Sequence, residues 1–174
     1  MNFDDAFSYV VGEEGKLSLD PNDRGNWTGG ECGVGELKGT KYGVSAASYP
    51  LLDIANLSLS DARAVAKRDF WDKIGGDSLR YGIALLLYDF GYNAGIHEAA
   101  KCAQRALGLV DDGILGPKTF AALALTNVPV FAMEFTDERL KAYKQMAGYR
   151  ENGIGWTARA LLTEHKAIAS CSPA

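Results

Sequence analysis

Glu14 and Asp23 are the two carboxylates whose placement in this chain suggests chemistry. Phe3, Phe7, Val10 and Val11 recur at helical spacing, and the next step along that stripe is Glu14, followed at once by Gly15. A carboxylate on an apolar stripe is desolvated, and at a helix C-terminus it meets the negative end of the backbone dipole, so both effects favour the protonated acid. A general acid working near neutral pH needs that state. Glu13 points off the stripe. Asp23 follows in the run Asp20-Pro21-Asn22-Asp23, and Thr28 comes soon after it. A protonated Glu facing an ionised Asp is the pairing that breaks glycosidic bonds: one protonates the leaving oxygen, and the other stabilises the cationic sugar or directs water, which a Thr hydroxyl can hold. The plainer alternatives are an exposed Glu at a fraying helix end and an Asp-Pro-Asn-Asp run that only makes a turn.

Stepping outward, the elements that must carry these residues divide into two kinds. Residues 15–45 are rich in Gly, Asp and Asn with no sustained periodicity, which predicts a long loop or a small irregular β-region, yet Trp27, Leu37, Tyr42 and Val44 are too apolar for a linker. From Ser60, a candidate N-cap, the pattern turns helical through Ala62, Val65, Ala66 and Phe70 until Gly75-Gly76. A helix over 79–91 is apolar nearly all round and must be enclosed by others. Further helices are predicted from His97 to Leu107, from Pro117 to Leu125, over 129–148 and over 156–170, the last two divided by a Gly153-Ile154-Gly155 turn.

The chain of 174 residues is long enough for one domain or two small ones, with 47% hydrophobic and 23% charged residues, as in globular proteins. No apolar run reaches the roughly 20 residues of a bilayer span, so no membrane insertion is expected. The N-terminus shows neither the basic start nor the apolar stretch of a secretory signal. A formal charge of −4 argues against a nucleic-acid partner held by phosphate neutralisation, although Lys38, Lys41, Lys67, Arg68 and Lys73 leave room for a local positive cleft. Cys32, Cys102 and Cys171, with His97 and His165 far apart, give no metal-ligand spacing, so no metal is expected. Cys102 lies in a helical pattern and reads as a small buried thiol, while a bridge involving Cys171 stays open. The chain has no GxGxxG, phosphate loop or GxSxG, which removes nucleotide enzymes and serine hydrolases from consideration.

Glu14-Gly15, then Asp20-Pro21-Asn22-Asp23-Arg24-Gly25, then Gly39-Thr40-Lys41-Tyr42-Gly43-Val44-Ser45 resemble the signature of glycoside hydrolase family 108, phage-type N-acetylmuramidases whose motif begins Glu-Gly-Gly-Tyr. The segments Leu87-Tyr88-Asp89-Phe90-Gly91-Tyr92-Asn93-Ala94-Gly95, Ala103-Gln104-Arg105-Ala106-Leu107-Gly108 and Asp112-Gly113-Ile114-Leu115-Gly116-Pro117-Lys118-Thr119 resemble the helical peptidoglycan-binding module usually joined to it. The resemblance implies a mainly α, lysozyme-like fold, cleavage of the β-1,4 bond between N-acetylmuramic acid and N-acetylglucosamine, Glu14 as the acid, and no cofactor. It divides the chain into a catalytic region, 1–76, and a binding-like helical region, 77–174, expected to pack as one lysozyme-like unit.

This sequence departs from the family pattern at Lys16 and Leu17, and the stretch from Trp27 to Lys38 reads as an insertion. The insertion splits the threonine role: Thr28 keeps the distance from Glu14, whereas Thr40 keeps the flanking residues and carries slightly more weight. Tyr42, Asn93 and Tyr92 are candidate substrate contacts, Asn93 from a position between two helices, set against a helix-terminus Asn93 that caps backbone and against core roles for Tyr88, Tyr92 and Trp156. The competing reading is a non-catalytic peptidoglycan-binding protein of the same fold. In either reading the partner is bacterial peptidoglycan, reached in the periplasm or on the wall after release or delivery. A phage lysin and a secreted antibacterial effector with delivery machinery and an inhibitor or immunity protein are both compatible with these residues.

Overall fold

A computed structural model describes residues 2–12 and 15–171. Among them are seven α-helices and one two-stranded antiparallel sheet, and the chain separates into two compact units, residues 7–69 and residues 1–6 with 70–174. The division falls inside the first helix, α1 (Phe3–Val10). Phe3, Phe7 and Val10 are buried, as the stripe predicts. The helix nevertheless stops at Val10, and Gly12 takes φ 70° after a last turn closed by Val11 and Gly12 amides. The periodicity that placed Glu14 on the buried stripe therefore ends before it, and Glu13 and Glu14 themselves lie outside the described residues.

In the unit 7–69, β1 (Thr40–Lys41) and β2 (Val44–Ser45) form a hairpin with Thr40 opposite Ser45. Val44, Ala46, Ile54, Leu57, Ala62 and Val65 form its core, with Leu17, Tyr42, Tyr49 and Leu52 packed around them. Helix α2 spans Leu59–Ala66. Its N-cap is Ser58 rather than Ser60, because Ser58 and Asp61 complete a reciprocal capping box that Ser60 has no partner to make. The chain then widens into a π-turn, Lys67–Trp71, in place of a continuous helix to Gly75.

The other unit is a helical array of α3 (Tyr81–Ala94), α4 (Ile96–Ala106), α5 (Pro117–Leu125), α6 (Val128–Tyr143) and α7 (Tyr149–Ala169). Residues Gly82 to Gly91 of α3 are all buried, as its all-round apolar sequence requires. Phe3 and Trp71 pack edge-to-face with Tyr88 at the same core. Within that core Asp89 is fully buried and receives Arg159 through Nε at 2.8 Å and Nη2 at 2.7 Å. Arg139, also fully buried, brings Nη1 within 2.6 Å of Asp89 as an ion contact lacking hydrogen-bond alignment, donates Nε–H to Tyr143 at 2.8 Å and lies over the Phe90 ring. One carboxylate thus ties α3 to α6 and α7.

Two expectations are corrected here. The Gly153-Ile154-Gly155 turn does not exist, because α7 runs unbroken through it. Gly153 is there for space: a Cβ would come within 2.8 Å of the Tyr149 ring. Asn93 does not sit between helices but in the last turn of α3, where its Nδ2 donates to Asp89 O at 2.6 Å. Cys102 is buried as expected, and burial pushes its thiol up to about 11. Cys32 and Cys171 are free and exposed, so the bridge left open for Cys171 is not made.

Candidate active site

The unit 7–69 gathers the loop residues singled out above onto one short hairpin. Tyr42 and Gly43 are its two central residues, with φ 52° and 78°. Positive φ at both positions is a type I′ turn, the two-residue turn whose twist suits a hairpin. Gly43 adopts it freely, whereas a tyrosine in the left-handed region is strained by about 1 kcal/mol. The compensation is packing. The Tyr42 ring lies directly against Gly15, so closely that a Cβ on Gly15 would fall inside it, 1.8 Å from the nearest ring carbon. Tyr42 also packs against the unit's core, and Lys41 Nζ sits 5.6 Å from its ring centroid. The ring thus covers the backbone of the residue that follows Glu14.

Thr40 stands at the start of this hairpin and is paired on both sides. Its backbone exchanges hydrogen bonds with Ser18, at 2.9 and 3.0 Å, and it lies opposite Ser45 on the other strand. The segment leading away from Gly15 is thereby fixed to Thr40. Among the described residues the Thr40 hydroxyl has no hydrogen-bond partner, which leaves it open to water or ligand.

Thr28 lies elsewhere, in the excursion of residues 27–37. Trp27 bridges Leu37 at its base, and Thr28 N–H donates to Glu36 O at 3.0 Å while its hydroxyl accepts Glu36 N–H at 2.9 Å. The Thr28 hydroxyl is thus engaged in holding the excursion closed.

Asp23 caps a single 3-10 turn, Arg24–Asn26, its Oδ1 accepting Gly25 N–H at 2.8 Å. Asp20 Oδ1 likewise accepts Asn22 N–H at 2.9 Å, so the run does make the turn its composition suggests. The turn places Asp23 next to the hairpin as well: the Gly25 position abuts Ser45, and Gly25 O accepts Ala47 N–H at 3.0 Å. The Asp23 side chain is exposed, free to face a ligand with the oxygen not used in the cap.

Asn26 organises this loop, and sequence reading passed over it. It is fully buried, donates through Nδ2 to Asp20 O at 3.0 Å and Ser18 Oγ at 3.4 Å, and its main-chain carbonyl accepts both Lys38 and Gly39 N–H. One asparagine therefore holds the Asp23 turn, the Ser18 segment and the entry to Thr40 together. The only signal in the sequence was an amide inside a polar run, a type that more often stays in water. Asp69 was also missed. It lies on the π-turn, where its Oδ2 accepts the Tyr49 hydroxyl at 2.8 Å and it pairs with Arg68.

Tyr92 and Asn93 belong to the helical unit. Tyr92 packs edge-on to Phe70 with ring centroids 4.8 Å apart and lies beside Tyr88, and burial pushes its hydroxyl up to about 12. Burial likewise raises Tyr88, which is wholly inside the core. Asn93 spends one amide proton on its own helix.

The family model described as glycosyl hydrolase 108 matches residues 7–95, a span that contains Glu14, Asp23, Thr40 and Tyr42. Among solved structures the chain is similar to one described as the structure of Brucella abortus SagA, at 25% identity, covering 99% of this chain and 97% of that one, with a TM-score of 0.82. No curated protein matches the sequence. The mainly α, lysozyme-like class expected from the sequence holds.

Proposed function

Because the chain belongs to the glycosyl hydrolase 108 family, we propose that it cleaves bacterial peptidoglycan as an N-acetylmuramidase, at the β-1,4 bond between N-acetylmuramic acid and N-acetylglucosamine. The observation that carries the reading furthest is the hairpin seated on Gly15: it brings Thr40, whose hydroxyl has no partner among the described residues, and the Asp23 turn into one framework with the segment that begins beside Glu14. In this mechanism Glu14 protonates the leaving oxygen. Asp23 supplies negative charge to the oxocarbenium ion, and Thr40 holds the attacking water. Tyr42 is assigned to sugar contact in the unit 7–69, where an aromatic face stacks on a pyranose ring, and Tyr92 and Asn93 are candidate sugar contacts of the helical unit taken by itself, where an amide pairs with an N-acetyl group.

The substrate places the working enzyme in the periplasm or on the cell wall, after release or delivery. An inhibitor, an immunity protein or a delivery machine are its candidate protein partners.

The test is a pair of variants one residue apart. Loss of the acid forfeits leaving-group protonation, a drop on the order of 10³-fold or more in rate. Glu14→Gln is therefore expected to fold, bind wall fragments and release no muropeptides, while Glu13→Gln keeps most of its activity. Mass spectrometry of the products, looking for reducing N-acetylmuramic acid ends, reports the bond. Full activity in both variants overturns the mechanism, and wild-type protein that binds the wall without cleaving it makes this a binding protein.

A further inference from the structure

Helix α7 has two faces, and its neighbours use only one. Gly153, Ala160, Thr163 and Ala167 are buried in the helical unit, where α7 packs on α3 and α6. On the opposite side Ile154, Ala158, Leu161, Leu162 and His165 are exposed, Ile154 at 91%, Leu162 at 64% and Leu161 at 50%. These residues step by three and four, so they form one continuous stripe along about three turns. Beyond Glu151 the exposed residues of this side include no charged group. A contiguous apolar stripe on a helix, as opposed to scattered single residues, marks a surface that something covers.

Gly155 is a second and separate sign. A glycine inside a helix costs about 1 kcal/mol relative to alanine. Gly153 accounts for its presence by the Tyr149 ring, but a Cβ on Gly155 would have nothing within 4 Å. No contact within the described chain explains it. Close approach of another helix does.

We propose that this stripe is the docking face for a second copy of the chain, with the two α7 helices antiparallel and crossing at Ala158. The charges at the ends of the stripe select that occupant, because they complement themselves. With Ala158 on the two-fold axis, Ile154 and Gly155 receive Leu162 of the second copy. Glu151 then lies at the level of His165 of the second copy, and Arg150 lies on the same flank as Glu164 of the second copy, two residues (about 3 Å of rise) beyond its level and within reach of the long arginine side chain. Each contact occurs twice. A parallel arrangement puts Glu151 against Glu151 and Glu164 against Glu164, so the same charges disfavour it. A single helix pair buries about 1,000 Å² or less in total, at the low end for specific interfaces, so the dimer is weak and depends on concentration.

Sedimentation velocity of the full chain over about 1 to 200 μM tests this. The expected result is a monomer–dimer equilibrium in the wild type and a monomer for Leu162→Glu, with unchanged circular dichroism and melting temperature because position 162 faces solvent. Arg150→Glu is expected to weaken the dimer by roughly fivefold to tenfold, and Arg150→Glu with Glu164→Arg to restore it. A monomer at every concentration overturns the proposal, as does a dimer that survives Leu162→Glu or a charge swap that fails to restore it. Flotation with phosphatidylglycerol-containing vesicles covers the other occupant: a monomeric wild type that binds them through Leu162 gives the stripe to a lipid surface instead.

Discussion

The Tyr42 ring occupies the place where any side chain on Gly15 would have to be. A tyrosine held at φ 52° in a two-residue turn is stabilised by that contact and by its packing on the core, and in return it fixes the backbone next to Glu14.

Gly15→Ala is therefore expected to lower stability by about 1 to 3 kcal/mol, since the ring must leave or the turn must shift. Activity on wall suspensions falls with it. Tyr42→Gly removes the ring, its core packing and the positive-φ strain together, so in a Tyr42→Gly protein, itself less stable and less active, adding Gly15→Ala should cost little further melting temperature. A Gly15→Ala protein as stable and active as the wild type contradicts the contact.

The two threonines should separate cleanly. Thr28→Ala loses the hydrogen bond to Glu36 N–H, a cost of about 1 kcal/mol in the excursion, and keeps activity within a few fold. Thr40→Ala is expected to slow cleavage by roughly 10²-fold with little change in melting temperature, because its hydroxyl holds no partner among the described residues. The opposite ranking in muropeptide release assays assigns the water to Thr28.

Asp89 should matter for folding alone. Asp89→Asn leaves the buried Arg139 with no anion and loosens Arg159, so a loss of about 3 to 5 kcal/mol is expected in urea unfolding. Arg159→Ala should cost half of that or less, because its side chain is 36% exposed and Arg139 still neutralises the carboxylate. Equal effects from the two variants contradict this division.

Glu138 gives the helical unit an acid-sensitive contact. Burial raises its carboxyl, but hydrogen bonds from Lys141 at 2.6 Å and Arg105 at 2.7 Å outweigh it and hold the group below its ordinary value of 4.5. Near that ordinary value the unfolded chain binds more protons than the folded one, so the contribution is complete above it and is lost as pH falls through the lower, folded value. Melting temperature should drop more steeply in the wild type than in Glu138→Gln between about pH 5 and pH 3. Parallel curves show that the pair adds nothing.

Local features of this protein were legible in its residues. Helix α3 is apolar on every side, and such a segment has no stable place except inside other helices, so its central position follows from composition alone. Phe3, Phe7 and Val10 announced a buried face by spacing, and Pro117 announced the start of α5. The ordered run from Glu14-Gly15 to Val44-Ser45 carried the family, because turn glycines and the residues they aim are close in sequence. The end of α1 was not legible, since apolar spacing continues through Val11 while the backbone turns at Gly12. Nor was the unbroken course of α7: two glycines in three residues read as a turn until Tyr149 is seen packing against one of them.

What the tertiary structure alone decided is which polar groups are already engaged. Thr28 and Thr40 have the same side chain and both lie downstream of Glu14, but only a folded excursion can bring Glu36 to the Thr28 hydroxyl and leave that of Thr40 without a partner among the described residues. Asn26 looked like any loop amide, and its role in fixing three segments exists only once Ser18, Asp20 and Gly39 converge on it. The sequence determines which groups are available and how they alternate along each element. Hydrogen-bond satisfaction joins residues distant along the chain, so its outcome is set when the backbone closes.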